Sequence, residues 1–495
     1  MKRALSTILA LLLLIALIGC GGTPFAKPET TKEPIGENPS DAAAQPEATE
    51  VPEATAEPIE PEEPEEPEEP EESEEPAEPE VPDDSEAFDK TATVEETVLF
   101  DDQGIKITLN GLEFTPYDSI KLPLTIENAN DFDVTVTSGS IESDINAING
   151  YMVGGYLYSS VSAGKKALEE MTLQIGQLEM YGIKGISEIQ LAFEVKKSDY
   201  STLLNTGAIT VRTSLENAND IGFCDAITNT SFQNRYGISA QELHANAPLE
   251  SELAELKSVT IMYNEDGEQA FCIELENISD KSYNVEIRDT VINGILIWEG
   301  QYTRKTVTPG KRCVVEAEFM NMTGDDNVYQ LLGFDTITSI DMLIAFTDQE
   351  YQEVGKQQQL IIKLEETDIN AAAEAKSVYS DGETEILFRG VVDDASSYSD
   401  DKYIVLFVKN LTEEDRRFEI KYNSVSINDF MANTYNNDGI IKAGGISLVV
   451  LELMDPEKIQ ISKSEDIKTV EFAYEVLQLN YHKMSEGTVS ITVAE

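Results

Sequence analysis

The chain has 495 residues and a formal net charge of -58, from 35 Lys and Arg against 93 Asp and Glu, and it contains only two His. A surface this acidic repels the phosphates of nucleic acids, so nucleic acid is not expected as a partner. Two histidines leave little room for a metal centre or a Ser-His-Asp site. The length indicates about three domains.

The first twenty residues have the pattern of an export signal. Lys2 and Arg3 form a positive n-region, and Ile8–Ile18 is an apolar h-region that leads directly to Gly19 and Cys20. The apolar run is short for a membrane-spanning helix, which needs about 20 residues. A small residue directly before a cysteine resembles the lipobox of bacterial lipoproteins.

That resemblance implies a signal peptide at residues 1–19, cleavage between Gly19 and Cys20, and lipidation of Cys20. The cysteine sulfur would carry a diacylglycerol group with palmitate-type chains. Two acyl chains provide the stable anchoring that one chain cannot. The expected location is the extracellular face of a bacterial cell membrane, with the lipid bilayer as a partner through Cys20.

Residues 20–92 are predicted to be a disordered stalk. From Gly21 to Ala92 there are 25 acidic and 3 basic residues, together with 14 of the 19 prolines. This composition cannot bury enough apolar surface to fold, and repulsion between glutamates extends the chain. Binding of Ca²⁺ or of a basic partner remains an alternative for this segment, although Ca²⁺ sites need 6 to 8 oxygens held in place.

The rest of the chain contains one pattern three times. An offset of 279 aligns TVLFDDQGIKITLNG, from Thr97, with KSVYSDGETEILFRG, from Lys376. Three further elements recur in the same order: a strand that ends at Asn, an Asn turn and a Gly turn. They are, respectively, Asn128, Asn277 and Asn410; Asn149-Gly150, Asn293-Gly294 and Asn428-Asp429; and Gly164, Gly310 and Gly444.

Alternation of apolar and polar residues in short segments between Gly, Asn and Asp turns predicts antiparallel strands. The fold class is therefore all-β, with three tandem immunoglobulin-like antiparallel β-sandwiches. Their ranges are 93–213 (unit 1), 258–366 (unit 2) and 376–495 (unit 3). The repeated turns resemble uncharacterised immunoglobulin-like domains of Gram-positive surface lipoproteins, a resemblance that implies a fold and a location but no reaction.

Residues 214–257 break the repeat and are predicted to be a partly helical connector. The apolar spacing places helices at Ser239–Ala245 and Leu249–Leu256. A shorter connector, which includes an Ala-rich turn of helix, joins units 2 and 3.

Exposed aromatic residues are the candidate ligand-binding groups, because an aromatic ring can stack on a sugar or a peptide. The candidates are Tyr151, Tyr156, Tyr158, Trp298 and Tyr302. Packing in a buried strand is the alternative, since Tyr151 aligns with Ile295 and Phe430.

Other patterns do not form a catalytic set. Ser162 and Lys165 fit S-x-x-K, but they lie at a strand-to-strand turn and lack the partner motifs of penicillin-binding enzymes. Acidic pairs are frequent in so acidic a chain. We therefore expect no catalytic residue, no metal site and no cofactor.

Three cysteines remain besides Cys20. Alternation places Cys313 on the inward face of its strand and Cys272 on the face opposite Phe271. A bridge between Cys224 and Cys272 is an open alternative.

These observations predict a lipid-anchored, non-enzymatic surface protein that acts as a binding or spacer array. Its ligand would be a cell-wall polymer, a glycan or a protein. The competing interpretation is a solute-binding lipoprotein or a cell-envelope hydrolase.

The lipid anchor can be tested with Cys20→Ala. The substitution removes the acylated sulfur, so the protein should leave the membrane fraction and appear in the soluble fraction after cell lysis and ultracentrifugation. Retention of the variant in the membrane would contradict the lipoprotein interpretation.

Overall fold

The computed structural model describes residues 87–139, 145–247, 249–263, 269–298, 304–318, 331–332, 337–364, 372, 374–393, 401–436 and 439–493. The predicted signal peptide, the lipidation site and nearly all of the predicted stalk lie outside these residues. The described residues belong to one compact unit. Among them, no helix is both long and apolar enough to cross a membrane.

The described part of unit 1 consists of strands and one short helix. They are β1 (Thr97–Asp102), β2 (Ile105–Leu109), β3 (Glu113–Phe114), β4 (Ser119–Asn128), β5 (Val134–Ser138), β6 (Asn146–Ile148), β7 (Tyr151–Val153), β8 (Leu157–Val161), β9 (Lys166–Gln174), α1 (Ile175–Met180), β10 (Glu188–Leu191), β11 (Glu194–Lys197), β12 (Thr202–Asn205) and β13 (Ile209–Arg212).

The connector and unit 2 follow. The connector contains α2 (Phe223–Ile227), α3 (Thr230–Tyr236), β14 (Ser239–Glu242) and β15 (Ala245–Ala247). Unit 2 contains β16 (Ala254–Tyr263), β17 (Gln269–Asn277), β18 (Tyr283–Ile292), β19 (Ile295–Trp298), β20 (Arg304–Val307), β21 (Arg312–Glu318), β22 (Ser339–Thr347) and β23 (Gln358–Lys363).

Unit 3 is built from strands with two short 3₁₀ turns at Pro456–Ile459 and Ser464–Asp466. The strands are β24 (Lys376–Ser380), β25 (Thr384–Asp393), β26 (Lys402–Asn410), β27 (Arg416–Ile420), β28 (Ser426–Ile427), β29 (Phe430–Met431), β30 (Asn433–Asn436), β31 (Gly439–Ile441), β32 (Ile446–Met454), β33 (Thr469–Leu477) and β34 (Lys483–Thr492).

Two of the sheets extend from one unit into the next. In one, the order β13-β10-β6-β7 of unit 1 continues into β21-β17-β16-β14. In the other, connector strand β15 is followed by β23-β22-β18-β19 of unit 2, which continue into β32-β26-β25-β24 of unit 3. Within each unit the strand pairs are antiparallel, so the predicted all-β sandwich fold is confirmed.

The aligned hairpins at the start of units 1 and 3 share a backbone irregularity. The pairing of β1 with β2 shifts register between Val98 and Phe100, and that of β24 with β25 shifts between Ser377 and Tyr379. These positions correspond under the 279-residue offset. The repeat therefore preserves a β-bulge, a feature that bends and twists a strand locally.

The asparagine at the end of each repeated strand ties two loops together. Asn410 is buried, and its Nδ2 donates to the carbonyls of Glu414 (2.7 Å) and Ile441 (3.1 Å). Its Oδ1 accepts from the N–H of Thr412 at 3.1 Å. Asn128 and Asn277 make the corresponding bonds in the other units. One side chain thus satisfies several buried backbone groups, which explains its recurrence.

The recurrent turns use left-handed backbone conformations. Asn149, Asn293 and Asn428 have φ of 47°, 50° and 49°, values that asparagine tolerates better than most residues. Each side-chain oxygen also accepts N–H bonds from the start of a later strand of its unit (β10, β22 or β33), as Asn149 does from Ser187 and Glu188 at 2.9 Å. The equivalent acceptors are Asn293 and Asn428.

Three apolar cores follow the three units, but their membership crosses unit boundaries. Met262, Cys272 and Val314 of unit 2 belong to the core of unit 1. Phe88 and Ala92 also join the unit 1 core, so packed structure begins before residue 93.

The connector is partly helical, but its helices lie elsewhere than the spacing predicts. Ser239–Glu242 forms β14, which pairs with β16 at the sheet edge, and β16 itself begins at Ala254, so the predicted helices at Ser239–Ala245 and Leu249–Leu256 were both wrong. The helix that does form, α3, begins where Asn229 Oδ1 accepts from two backbone N–H groups and ends at left-handed Gly237. Strand pairing with β16 therefore determines the structure of Ser239–Glu242, in spite of the helical spacing of its apolar residues.

Replacing Asn410 with alanine should destabilise unit 3 by about 2 to 4 kcal/mol, because it leaves buried backbone groups without partners. The measurement is the urea midpoint of unfolding. Asn110 is a matched control, since it is exposed and its side chain bonds to one residue, Thr125, among those described. Asn110→Ala should change stability by less than about 0.5 kcal/mol. Equal urea midpoints for the two variants would show that the side-chain bonds of Asn410 do not stabilise unit 3.

Candidate functional site at the unit junctions

The two internal junctions are the same backbone arrangement. At the first, β7 of unit 1 lies parallel to β21 of unit 2, with Tyr151 opposite Arg312. At the second, β19 of unit 2 lies parallel to β32 of unit 3, with Leu296 opposite Ser447. In the first junction, the paired residues Tyr151 and Arg312 each lie two residues after their turn residue, Asn or Gly. In the second, the paired residues Leu296 and Ser447 each lie three residues after theirs. The register is therefore identical.

Local conformation places these strands at the edges that meet. Gly150 follows Asn149 in the turn with φ 92°, and its carbonyl accepts the N–H of Arg312 at 2.8 Å. Gly310 opens the strand on the other side with φ 67°. Glycine suits both positions because positive φ is unfavourable for other side chains.

Tyr151 joins unit 1, the connector and unit 2. Its hydroxyl donates to Glu274 Oε1 at 2.7 Å and accepts from the backbone N–H of Phe223 at 3.2 Å and from Arg312 Nη1 at 3.3 Å. The ring stacks on Tyr181 with 5.5 Å between centroids. Burial, and next the charge of Glu274, raise the pKa of Tyr151 well above its usual value.

Glu274 is a buried carboxylate with three partners. Besides Tyr151, it accepts from Ser258 Oγ at 2.9 Å and lies 3.4 Å from Arg312 Nη1. A buried charge is tolerated only when it is paired and hydrogen-bonded. The polar groups of Tyr151, Glu274, Ser258 and Arg312 therefore satisfy one another and hold units 1 and 2 together. We call this cluster the junction lock.

Apolar side chains cross the same boundary in both directions. Ala147 and Met152 of unit 1 belong to the core of unit 2, while Val314 of unit 2 belongs to the core of unit 1. At the second junction, Leu387, Phe407 and Leu448 of unit 3 join the core of unit 2. The cores of units 1 and 2 therefore include residues of a neighbouring unit, whereas the described core of unit 3 contains only its own residues.

Ion pairs reinforce the contact. Lys311 Nζ lies 2.7 Å from Glu188 Oε1 across the first junction, and this hydrogen bond lowers the pKa of the Glu188 carboxyl. Lys442 Nζ lies 2.8 Å from Asp289 Oδ2 across the second. Lys311 and Glu188 are both largely buried, so water screens this pair less than a surface pair.

The structure separates the candidate stacking residues. Tyr151 is 4% exposed and lies in the junction, whereas Tyr156 and Tyr158 are 57% and 56% exposed. Tyr158 lies on β8, an edge strand, and Tyr156 lies just before that strand begins, separated from Tyr158 by buried Leu157. The side chain of Trp298 and the whole of Tyr302 lie outside the described residues. Ligand stacking stays a prediction for the two exposed tyrosines.

No disulfide joins any two of the three described cysteines, so Cys224 and Cys272 are not bridged. Cys313 is buried in the core of unit 2, as its strand position predicts, and Cys272 faces unit 1 from the opposite side of the sheet. Burial raises the pKa of the Cys272 thiol, and burial, followed by Glu242, raises that of Cys224 to about 11. Thiols with raised pKa values are poor nucleophiles at neutral pH.

The S-x-x-K segment forms the predicted turn. Lys165 N–H donates to the carbonyl of Ser162 at 3.0 Å, and Gly164 between them has φ 64°. In the part of the chain that the structure describes, no group of three or more His, Cys, Asp or Glu residues could hold a metal ion.

The junction residues Glu274 and Arg312 were not among the candidates from the sequence. A signal was present in the third copy of the strand, where residues 404–408 are apolar on both faces. Such a run is typical of a strand that is covered on both sides. In unit 2 the corresponding outward face carries Cys272 and Glu274, whose polarity hides the signal.

Comparisons with known proteins do not assign a family. No protein-family model matches the sequence, and no curated protein matches it. Among solved structures, a protein of Corynebacterium diphtheriae described as membrane-anchored aligns over 79% of this chain and 92% of its own, with 9% identity and a TM-score of 0.14. A β-glucuronidase of glycoside hydrolase family 2 aligns over 79% of this chain and 39% of its own, with 9% identity and a TM-score of 0.13. TM-scores this low do not indicate a shared fold.

The junction lock can be tested with Tyr151→Phe. The change removes the hydroxyl that bonds to buried Glu274, and it should lower the free energy of unfolding by about 1 to 3 kcal/mol. Tyr158→Phe, at an exposed position, should change it by less than about 0.5 kcal/mol. Urea unfolding of both variants gives the comparison, and a Tyr151→Phe protein as stable as the parent would show that the hydroxyl does not hold the junction.

Proposed function

We propose that this protein is a lipid-anchored surface protein that acts as a non-catalytic binding or spacer array. The observation that carries this proposal is the pairing of each unit's edge strand with the next unit. A protein that holds ligand-binding surfaces in a fixed arrangement needs such junctions, whereas independent domains on flexible linkers would not supply them.

The contacts at the junctions support a rigid array. Main-chain pairing, the bonds of Tyr151 and Glu274, and shared apolar cores all resist bending between units. The buried titratable groups of the first junction hold the units together and are already occupied by one another. Their use in structure favours presentation of a surface over turnover of a substrate.

The exposed pair Tyr156 and Tyr158 is the best-supported binding surface. Alternate residues of extended chain lie about 7 Å apart on one side. Two rings at this spacing suit the apolar faces of sugar units in a polymer, and the phenol hydroxyls can bond to sugar hydroxyls. We infer that the ligand class is a cell-wall polymer or other glycan, with a protein ligand as the alternative.

The competing function is that of a solute-binding lipoprotein or a cell-envelope hydrolase. A hydrolase of glycans needs two carboxylates across a cleft. A solute receptor needs a cavity between two lobes that can close. Turnover of wall polymer, or capture of a small solute, would favour one of these functions over the array.

The binding test uses the full chain with Cys20→Ser, secreted and screened on arrays of glycans and wall polymers. Binding should fall at least about tenfold when Tyr156 and Tyr158 are both changed to alanine, a loss of about 1.4 kcal/mol. Tyr422→Ala, at an exposed turn of unit 3, is the control and should leave binding unchanged. If the parent protein binds nothing on the arrays and hydrolyses wall polymer, the binding-array function is wrong and the hydrolase function is favoured.

A further inference from the structure

The two ends of the array carry the two halves of a junction. Each internal junction needs an edge strand that follows the Asn turn and an edge strand that follows the Gly turn. Unit 3 has the first kind in β29, and unit 1 has the second kind in β9. We call Phe430–Met431 the tail edge and residues 166–168 of β9 the head edge.

The tail edge corresponds to strands that are buried elsewhere. Phe430 and Met431 align with Tyr151 and Met152, which are buried in the first junction. At the end of the array, Phe430 is 49% exposed and Met431 is 61% exposed. Among the described residues, β29 is the last strand of its sheet and pairs only with β28.

The head edge shows the complementary change. Leu168 occupies the position of Val314 and Leu448, both of which are buried against the preceding unit. Leu168 itself is 81% exposed. In the described part of the chain, β9 pairs only with β4, so its other side is an unpaired edge.

We propose that the tail edge of one copy pairs in parallel with the head edge of a second copy, in the register of the two internal junctions. In that register the N–H of Lys166 meets the carbonyl of Asp429, as Arg312 meets Gly150 within the chain. The occupant is a second copy because both edges belong to one interface that the chain already forms twice.

Charge favours this contact locally. Asp429 replaces the turn glycine at the tail edge, whereas the head edge begins with Lys166 and directly follows Lys165. The proposed register places this carboxylate near both ammonium groups, of which that of Lys166 also pairs with Glu127 at 2.8 Å. The high overall negative charge opposes association, so the contact should strengthen as salt screens long-range repulsion.

The contact is heterologous and repeats. Each copy uses its head edge for one neighbour and its tail edge for another, so the assembly grows as a chain or closes into a ring. It lacks the connector residues that enlarge the internal junctions, such as Phe223 of α2. The association should therefore be weak in solution and be favoured where lipid anchoring concentrates the protein.

The test is sedimentation velocity on the full chain with Cys20→Ser, over roughly a hundredfold range of concentration. The weight-average sedimentation coefficient should rise with concentration and more so at moderate salt. Leu168→Ser should weaken association at least about tenfold, and the double change Phe430→Ser and Met431→Ser should do the same. All three side chains are exposed, so the fold should persist.

Mixing the two variants gives the sharpest result. Each variant retains one intact edge, so an equimolar mixture should form dimers but nothing larger. Leu479→Ser is the control, because Leu479 is exposed in the turn after β33, at the end of that strand opposite to the one that pairs with β28. A parent that stays monomeric at every concentration, or variants that self-associate like the parent, would overturn the proposal. The result does not depend on membrane anchoring or on glycan binding.

Discussion

The parallel pairing of one unit's edge strand with the next unit is the constraint on which the rest of the structure depends. It removes two exposed edges at each step, and exposed edges are a liability in all-β proteins. It also fixes how far apart the units stand, so the side chains near the pairing must fill whatever space remains. Ala147 and Met152 do so by entering the core of unit 2.

One backbone arrangement accommodates two different chemistries. The first junction buries a carboxylate and supplies Tyr151, Ser258 and Arg312 to satisfy it. The second has Phe407 at the position of Glu274 and buries apolar surface instead. Buried ion clusters generally add less stability than apolar packing of the same volume, but they penalise mispairing strongly. The difference between the junctions thus favours correct order of the units, which is a hypothesis that unit-swapped chains would test.

Much of the fold follows from local patterns. Alternation located the strands, and the recurring Asn and Gly marked turns whose positive φ values the structure contains, as at Asn149 and Gly310. The connector shows the limit of such reasoning. Ser239–Glu242 has helical spacing but pairs with β16, while Asn229 and Gly237 bound a helix that the apolar pattern did not indicate. A free sheet edge outweighs a weak periodicity because it offers a full row of backbone hydrogen bonds.

The sequence by itself determined the all-β class, the three repeats and the inward or outward direction of residues such as Cys313, because these depend on alternation and on turn chemistry within a few residues. Tertiary structure alone decided that Tyr151 is a buried lock and that Tyr158 is exposed, although both are tyrosines in short strands of one unit. The physical reason is that burial depends on which edges meet. That meeting joins residues more than a hundred positions apart, and no local pattern records it.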